Sequence, residues 1–224
     1  NTLERTQIRQ ALGQLVSESV AEQLTTEGMN RPRGKAADAS IMFIDIRGFT
    51  TFCANRPAEE VVEILNLYLD RLIQVVQHHG GVVNKFLGDG MLVLFGLPDP
   101  LERAADQAVN AALNAVHEAQ QLSLKNGHGL ALGVGIHSGP VVAGTIGSND
   151  RLEYTVIGDT VNLASRIEGL NSRLGTTVLF SAKTYHEMSD TMRQRISPRA
   201  CGAQAVKGRD AVTVFAAGPA LASV

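Results

Sequence analysis

Hydrophobic positions change their period several times along the chain, and each change marks an element. Leu3, Ile8, Leu12, Leu15, Val16, Val20 and Leu24 recur at mostly three- and four-residue steps, the period of an amphipathic helix. Residues 25–35 are polar and interrupted by Gly28, Pro32 and Gly34, which reads as a linker. The run Ile41-Met-Phe-Ile-Asp-Ile46 then carries five apolar residues in six, as a strand buried on both faces would. A helix follows. Pro57 suits its first turn, Glu59 and Glu60 suit the positive end of its dipole, and Val61, Ile64, Leu65, Tyr68, Leu72, Val75 and Val76 form one apolar face. Gly80 and Gly81 can end it in a left-handed cap.

The apolar runs 82–87 and 91–95 flank an Asp-Gly step and read as a hairpin. Residues 100–124 form a second, alanine-rich helix, and 130–136, 141–146 and 152–157 are short strands. A helix over 160–174, a strand over 177–180, a short helix over 182–188 and a last strand over 212–216 complete the pattern. The order strand, helix, strand, strand, helix, strand describes an α+β, ferredoxin-like sandwich behind a helical lead-in. The expected division is 1–38 for lead-in and linker, 39–217 for the folded domain and 218–224 for a tail.

Composition narrows the function. With 44% hydrophobic and 19% charged residues the chain is an ordinary globular protein. A net charge of −2 gives no basic footprint for nucleic acid. Cys53 and Cys201 have neither a disulfide framework nor metal-ligand spacing and fit a reducing cytosol. No apolar run is long enough to cross a bilayer, which points to a cytoplasmic domain. The chain begins with Asn1 rather than Met, leaving room for an upstream sensor or membrane anchor.

The chemistry is carried by a few polar residues in apolar settings. Asp45 interrupts the first strand, where a lone carboxylate is costly unless a cation meets it. Asp89 is the second acid to share such an ion, although Asp89-Gly90 is equally a plain turn signal. Gly133-x-Gly135 with Gly139 has the wrong spacing for a dinucleotide fingerprint, and no P-loop exists. His137 closing a strand reads as structural, and His78-His79 as partners of terminal helix carbonyls. Asn162 and Arg166 stand four apart on one helix face, a plain polar surface when taken alone.

Taken together, Phe43-Ile-Asp-Ile-Arg-Gly-Phe-Thr50, Lys85-Phe-Leu-Gly-Asp-Gly90, Gly135-Ile-His-Ser-Gly139, Gly158-Asp-Thr-Val-Asn-Leu-Ala-Ser-Arg166 and Val206-Lys-Gly208 resemble the class III nucleotidyl cyclases. The resemblance spans about Ala39 to Ala217. It implies a cyclase catalytic domain that pairs head to tail as a homodimer, with sites across the interface. It also implies two divalent cations, Mg2+ or Mn2+, held by Asp45, Asp89 and the backbone carbonyl of Ile46. In such a site the ribose 3′-hydroxyl attacks the α-phosphate in line. Backbone amides of Gly48, Phe49 and Thr50 would cradle phosphates, Asn162 would orient the ribose, Arg166 would meet charge on the α-phosphate, and Lys207 the polyphosphate. Lys85 can only donate and suits adenine N1, while the Thr155 hydroxyl can accept from the 6-amino group. Guanylyl cyclases of the family carry Glu and Cys at these two places, so the expectation is an adenylyl cyclase acting on ATP. Threonine at 155 also marks a subgroup with bicarbonate-responsive members. The alternatives are a guanylyl cyclase and a silent dimerising, nucleotide-sensing module. One departure stands out: many relatives have arginine where this chain has Gly133, so one triphosphate contact is either absent or supplied elsewhere.

Overall fold

A computed structural model describes residues 34–54, 56–147 and 152–218. The expected N-terminal helix, most of the linker and nearly all of the C-terminal tail lie outside the described residues.

The core is β1 (Lys35–Arg47), α1 (Phe49–Cys53), α2 (Ala58–His78), β2 (Gly81–Leu87), β3 (Gly90–Phe95), α3 (Ala104–Asn126) and β4 (Ala131–Gly147). After it come β5 (Leu152–Ile157), α4 (Asp159–Leu174), β6 (Val178–Ser181), α5 (Ala182–Glu187), α6 (Asp190–Ile196), β7 (Arg199–Val206) and β8 (Arg209–Ala217). The sheet runs β2-β3-β1-β4-β6-β8-β7, with β5 paired to the far half of β4. Its β2-β3-β1-β4 portion, neighbours antiparallel, is the ferredoxin-like arrangement expected from the order of elements.

Alternation along β1 sorts its side chains onto the two faces of the sheet. Met42, Ile44 and Ile46 pack with Tyr68, Leu72 and Val76 of α2 and with Ala108, Ala111, Ala112 and Ala115 of α3. Alanines let α3 approach the sheet closely, and each large apolar side chain fully buried there contributes about 1.5–3 kcal/mol. On the opposite face Ile41 meets Leu92, Leu94, Tyr154, Val156 and Ala164, so β5 and α4 both fold over it. Phe43, Asp45 and Arg47, also on that face, are only half-buried, which corrects the reading of a strand buried on both sides.

Three further differences from the sequence pattern have physical causes. β1 begins at Lys35, because β4 continues far enough to pair with it there. β4 is one 17-residue strand instead of two short ones. Pro140 interrupts the apolar pattern without breaking the strand, because its carbonyl accepts from Thr160 Oγ1 at 2.7 Å and so faces α4, away from the β1 ladder. The amide proton that proline lacks would have pointed the same way. The chain also forms α1, α6 and β7, which have weak apolar signals; β7 is an edge strand with no buried residue.

α4 rests directly on the sheet over Gly135. A Cβ there would stand 2.5 Å from Glu168 Cα and 2.7 Å from the Ala164 carbonyl oxygen. Gly135→Ala should therefore cost roughly 1–3 kcal/mol in urea unfolding. Gly169→Ala, on the same helix with open space around its Cβ position, should be neutral or stabilising by up to about 1 kcal/mol.

Candidate functional site

Asp45 lies close enough to Asp89, the acid expected to act with it, to feel its charge. β3 pairs with β1 through Ile44 and Met91, which brings Gly90 alongside Asp45. A Cβ on Gly90 would lie 2.5 Å from the Ile44 carbonyl oxygen and 3.4 Å from Asp45 Oδ1, so only glycine lets the hairpin lie so close. Gly90 is consequently the first residue of β3, paired with Leu87, and the hairpin loop is Gly88-Asp89, not Asp89-Gly90. Gly88 takes the positive φ of 67° that this loop demands. Asp89 is thereby carried next to the end of β1. Burial pushes the Asp45 carboxyl above its ordinary range, the neighbouring charge of Asp89 pushes it further, and the Arg47 guanidinium partly offsets both. Just beyond, Gly48 adopts φ 77° and starts α1, which is anchored by buried Phe49, and a Cβ at Gly48 would meet open space.

Lys85 and Thr155 come from β2 and β5. The β2 register shifts between Val83 and Lys85, leaving Asn84 as the extra residue of a bulge. The Asn84 side-chain amide donates to the Tyr154 carbonyl at 3.0 Å, and the Lys85 ammonium pairs with the Glu153 carboxylate. Glu153 and Thr155 are two apart on β5 and so share a face, which sets Lys85 and Thr155 on the same edge of the domain. Neither Asn84 nor Glu153 was singled out from the sequence. The alternation Glu153-Tyr-Thr155 was the available signal.

Asn162 is exposed and Arg166 half-buried on α4. The β7–β8 turn, Lys207-Gly208, adjoins them: a Cβ on Gly208 would stand 4.0 Å from Arg166 Nη2. The predicted residues thus form three groups: Asp45 with Asp89, Lys85 with the β5 edge, and Arg166 with the Lys207 turn. His137 Nδ1 meets Ser181 Oγ at 2.7 Å. His79 differs from expectation, its ring spanning Gln107 and Asn114 of α3 at 3.2 and 2.8 Å instead of serving helix carbonyls.

Among the described residues no three His, Cys, Asp or Glu side chains converge as a metal cluster. What the end of β1 offers is a pair of mutually repelling carboxylates, an all-oxygen donor set that fits a hard divalent cation completed by other oxygen ligands. Among the described residues no helix is long and apolar enough to cross a membrane.

Comparison with known proteins identifies the family. The family profile "Adenylate and Guanylate cyclase catalytic domain" matches residues 32–217. Adenylate cyclase 1 of Rhizobium meliloti is 39% identical over 172 residues, covering 72% of this chain and 25% of the relative. The adenylyl cyclase CyaB from P. aeruginosa superposes with TM-score 0.74 at 29% identity, over 84% of this chain and 97% of that one. The guanylyl cyclase Cya2 superposes with TM-score 0.72 at 33% identity, over 82% and 93%. The chain spans only about a quarter to a third of the length of the curated relatives it matches.

The raised Asp45 carboxyl makes a pH prediction. Between its unfolded pKa, near the ordinary 3.8, and its higher folded pKa, the folded state binds more protons, so stability falls as pH rises through that window. In chelator-treated protein Asp45→Asn should raise Tm at pH 7, with the gain shrinking as pH is lowered toward 4. A gain that persisted undiminished at low pH would show that the charge is not its cause.

Proposed function

Because the chain belongs to the adenylate and guanylate cyclase catalytic-domain family, we propose that it is an adenylyl cyclase domain, forming 3′,5′-cyclic AMP and pyrophosphate from ATP as a homodimer. The observation that carries this reading is the placement of Asp45, flanked by buried Ile44 and Ile46 near the end of β1, within reach of the charge of Asp89. Like charges brought together out of bulk water are tolerated where a cation is to be taken up.

Asp45, Asp89 and the Ile46 carbonyl would hold two divalent cations, Mg2+ or Mn2+, which when bound supply Lewis-acid activation of the ribose hydroxyl and neutralisation of phosphate charge. The other residues position the nucleotide. Lys85 donates to adenine N1, and the Thr155 hydroxyl accepts from the 6-amino group. Asn162 fixes the ribose, Arg166 offers its guanidinium to the α-phosphate, and Lys207 meets the polyphosphate. Backbone amides at Gly48, Phe49 and Thr50 contact phosphate oxygens beside the acids.

In the homodimer one copy's acids would meet the other's Lys85 edge and α4. The homodimer is supported by the exposed apolar side chains Phe86, Leu87, Val142, Ile146 and Ile157 on β2, β4 and β5. In a longer protein, residues 1–38 would transmit an upstream signal to the domain.

One observation keeps guanylyl cyclase as the second reading. The Glu153 carboxylate beside Lys85 gives a donor next to an acceptor, and guanine O6 and N1–H can satisfy that pair as adenine can in the opposite order.

The test is turnover by the purified chain with Mn2+ and each triphosphate, alone and in competition. Cyclic AMP is the expected main product, and Asp89→Ala should lower its formation roughly 100-fold or more. Preferential cyclic GMP would establish the second reading, and unchanged activity in Asp89→Ala would contradict the cation assignment.

A further inference from the structure

The strand register sets Gly133 of β4 directly beside Asp45 of β1. The space above Gly133 is filled from elsewhere. A Cβ there would lie 2.5 Å from both Nε and Nη2 of Arg47 and would collide with the Glu168 carboxylate. Arg47 follows Asp45 by two residues and so projects from the same face. Its guanidinium reaches across to α4, where Nη2 donates to Glu168 Oε1 at 3.2 Å and Nη1 to Ser172 Oγ at 2.6 Å. Glu168 and Ser172 are one helical turn apart, so the planar fork grips two points of the helix. Both partners of the ion pair are largely buried, their side chains 18% and 17% exposed.

Glu168 is a third carboxylate in the neighbourhood of Asp45. Burial, and next the Asp45 charge, push its carboxyl up, while Arg47 holds it down. The acid is close enough to feel the site, yet it is engaged by a cation of the protein's own. On the cation-binding reading proposed for Asp45 and Asp89, a free third carboxylate would add a negative ligand and tighten the site.

We propose that Arg47 is a positioning residue: occupying the volume that Gly133 leaves open, it holds Glu168 away from the cation site, so that Asp45 and Asp89 alone supply side-chain charge to it. The glycine at 133 is then required by the pair, since any side chain there would displace the guanidinium.

The test is Mn2+ binding to the full chain without nucleotide, followed by electron paramagnetic resonance of free Mn2+ and by the Mn2+-dependent rise in Tm. Arg47→Met should tighten Mn2+ binding about tenfold and enlarge the Tm rise, because the released Glu168 joins the ions. Arg47→Gln keeps an amide to support α4 and should move binding in the same direction, which covers the case in which the methionine variant does not fold. Adding Glu168→Gln to either variant should return the affinity to within about twofold of the parent chain. Binding that weakens or stays unchanged on losing Arg47 would overturn the proposal. Asp45→Asn separates the two levels: if it leaves Mn2+ binding intact, the cation-site reading fails, and this proposal with it.

Discussion

Two carboxylates held near each other in a half-buried place are the constraint around which this domain is arranged. Asp45 stands at the end of a strand whose alternate residues are sealed under α2 and α3, so the strand cannot move away from its neighbour. Gly90 removes the one side chain that would keep the β2–β3 hairpin at a distance, and the loop residue Asp89 is delivered to the same spot. Apolar burial on one face thus holds an electrostatic conflict in place on the other. The Arg47 guanidinium offsets part of that conflict.

The second organising feature is the bare track along β4. Gly133 and Gly135 lie on the face that receives α4, and each is bare for a different reason. At Gly135 the backbone of α4 itself takes the room. At Gly133 the room goes to the paired side chains of Arg47 and Glu168. The guanidinium that fills this space arrives from the adjacent strand.

Much of this was legible in the sequence. The apolar strand around Asp45, the hairpin before α3 and the polar face of α4 follow from local periodicity, and the ferredoxin-like order follows from their succession. What was not legible depended on groups distant along the chain. The run through Pro140 looked like two strands because nothing local reveals that its carbonyl belongs to Thr160. The hairpin loop was placed one residue late because the need for glycine at 90 comes from the Ile44 carbonyl, 46 positions earlier. Lys85 could be paired in thought with Thr155, but its partner Glu153 appears only once a bulge at Asn84 turns β2 toward β5. Nothing local marks Arg47, because the groups that engage it, Glu168 and Ser172, stand more than 120 positions further along the chain.

The central claim is that Asp45 and Asp89 form a divalent-cation centre at the end of β1. Anomalous diffraction from crystals of the domain grown with Mn2+ and a non-hydrolysable ATP analogue tests it most directly. The account predicts anomalous density within coordination distance, about 2.0–2.6 Å, of oxygens from both carboxylates. Manganese bound elsewhere, with neither Asp45 nor Asp89 in contact, would contradict it.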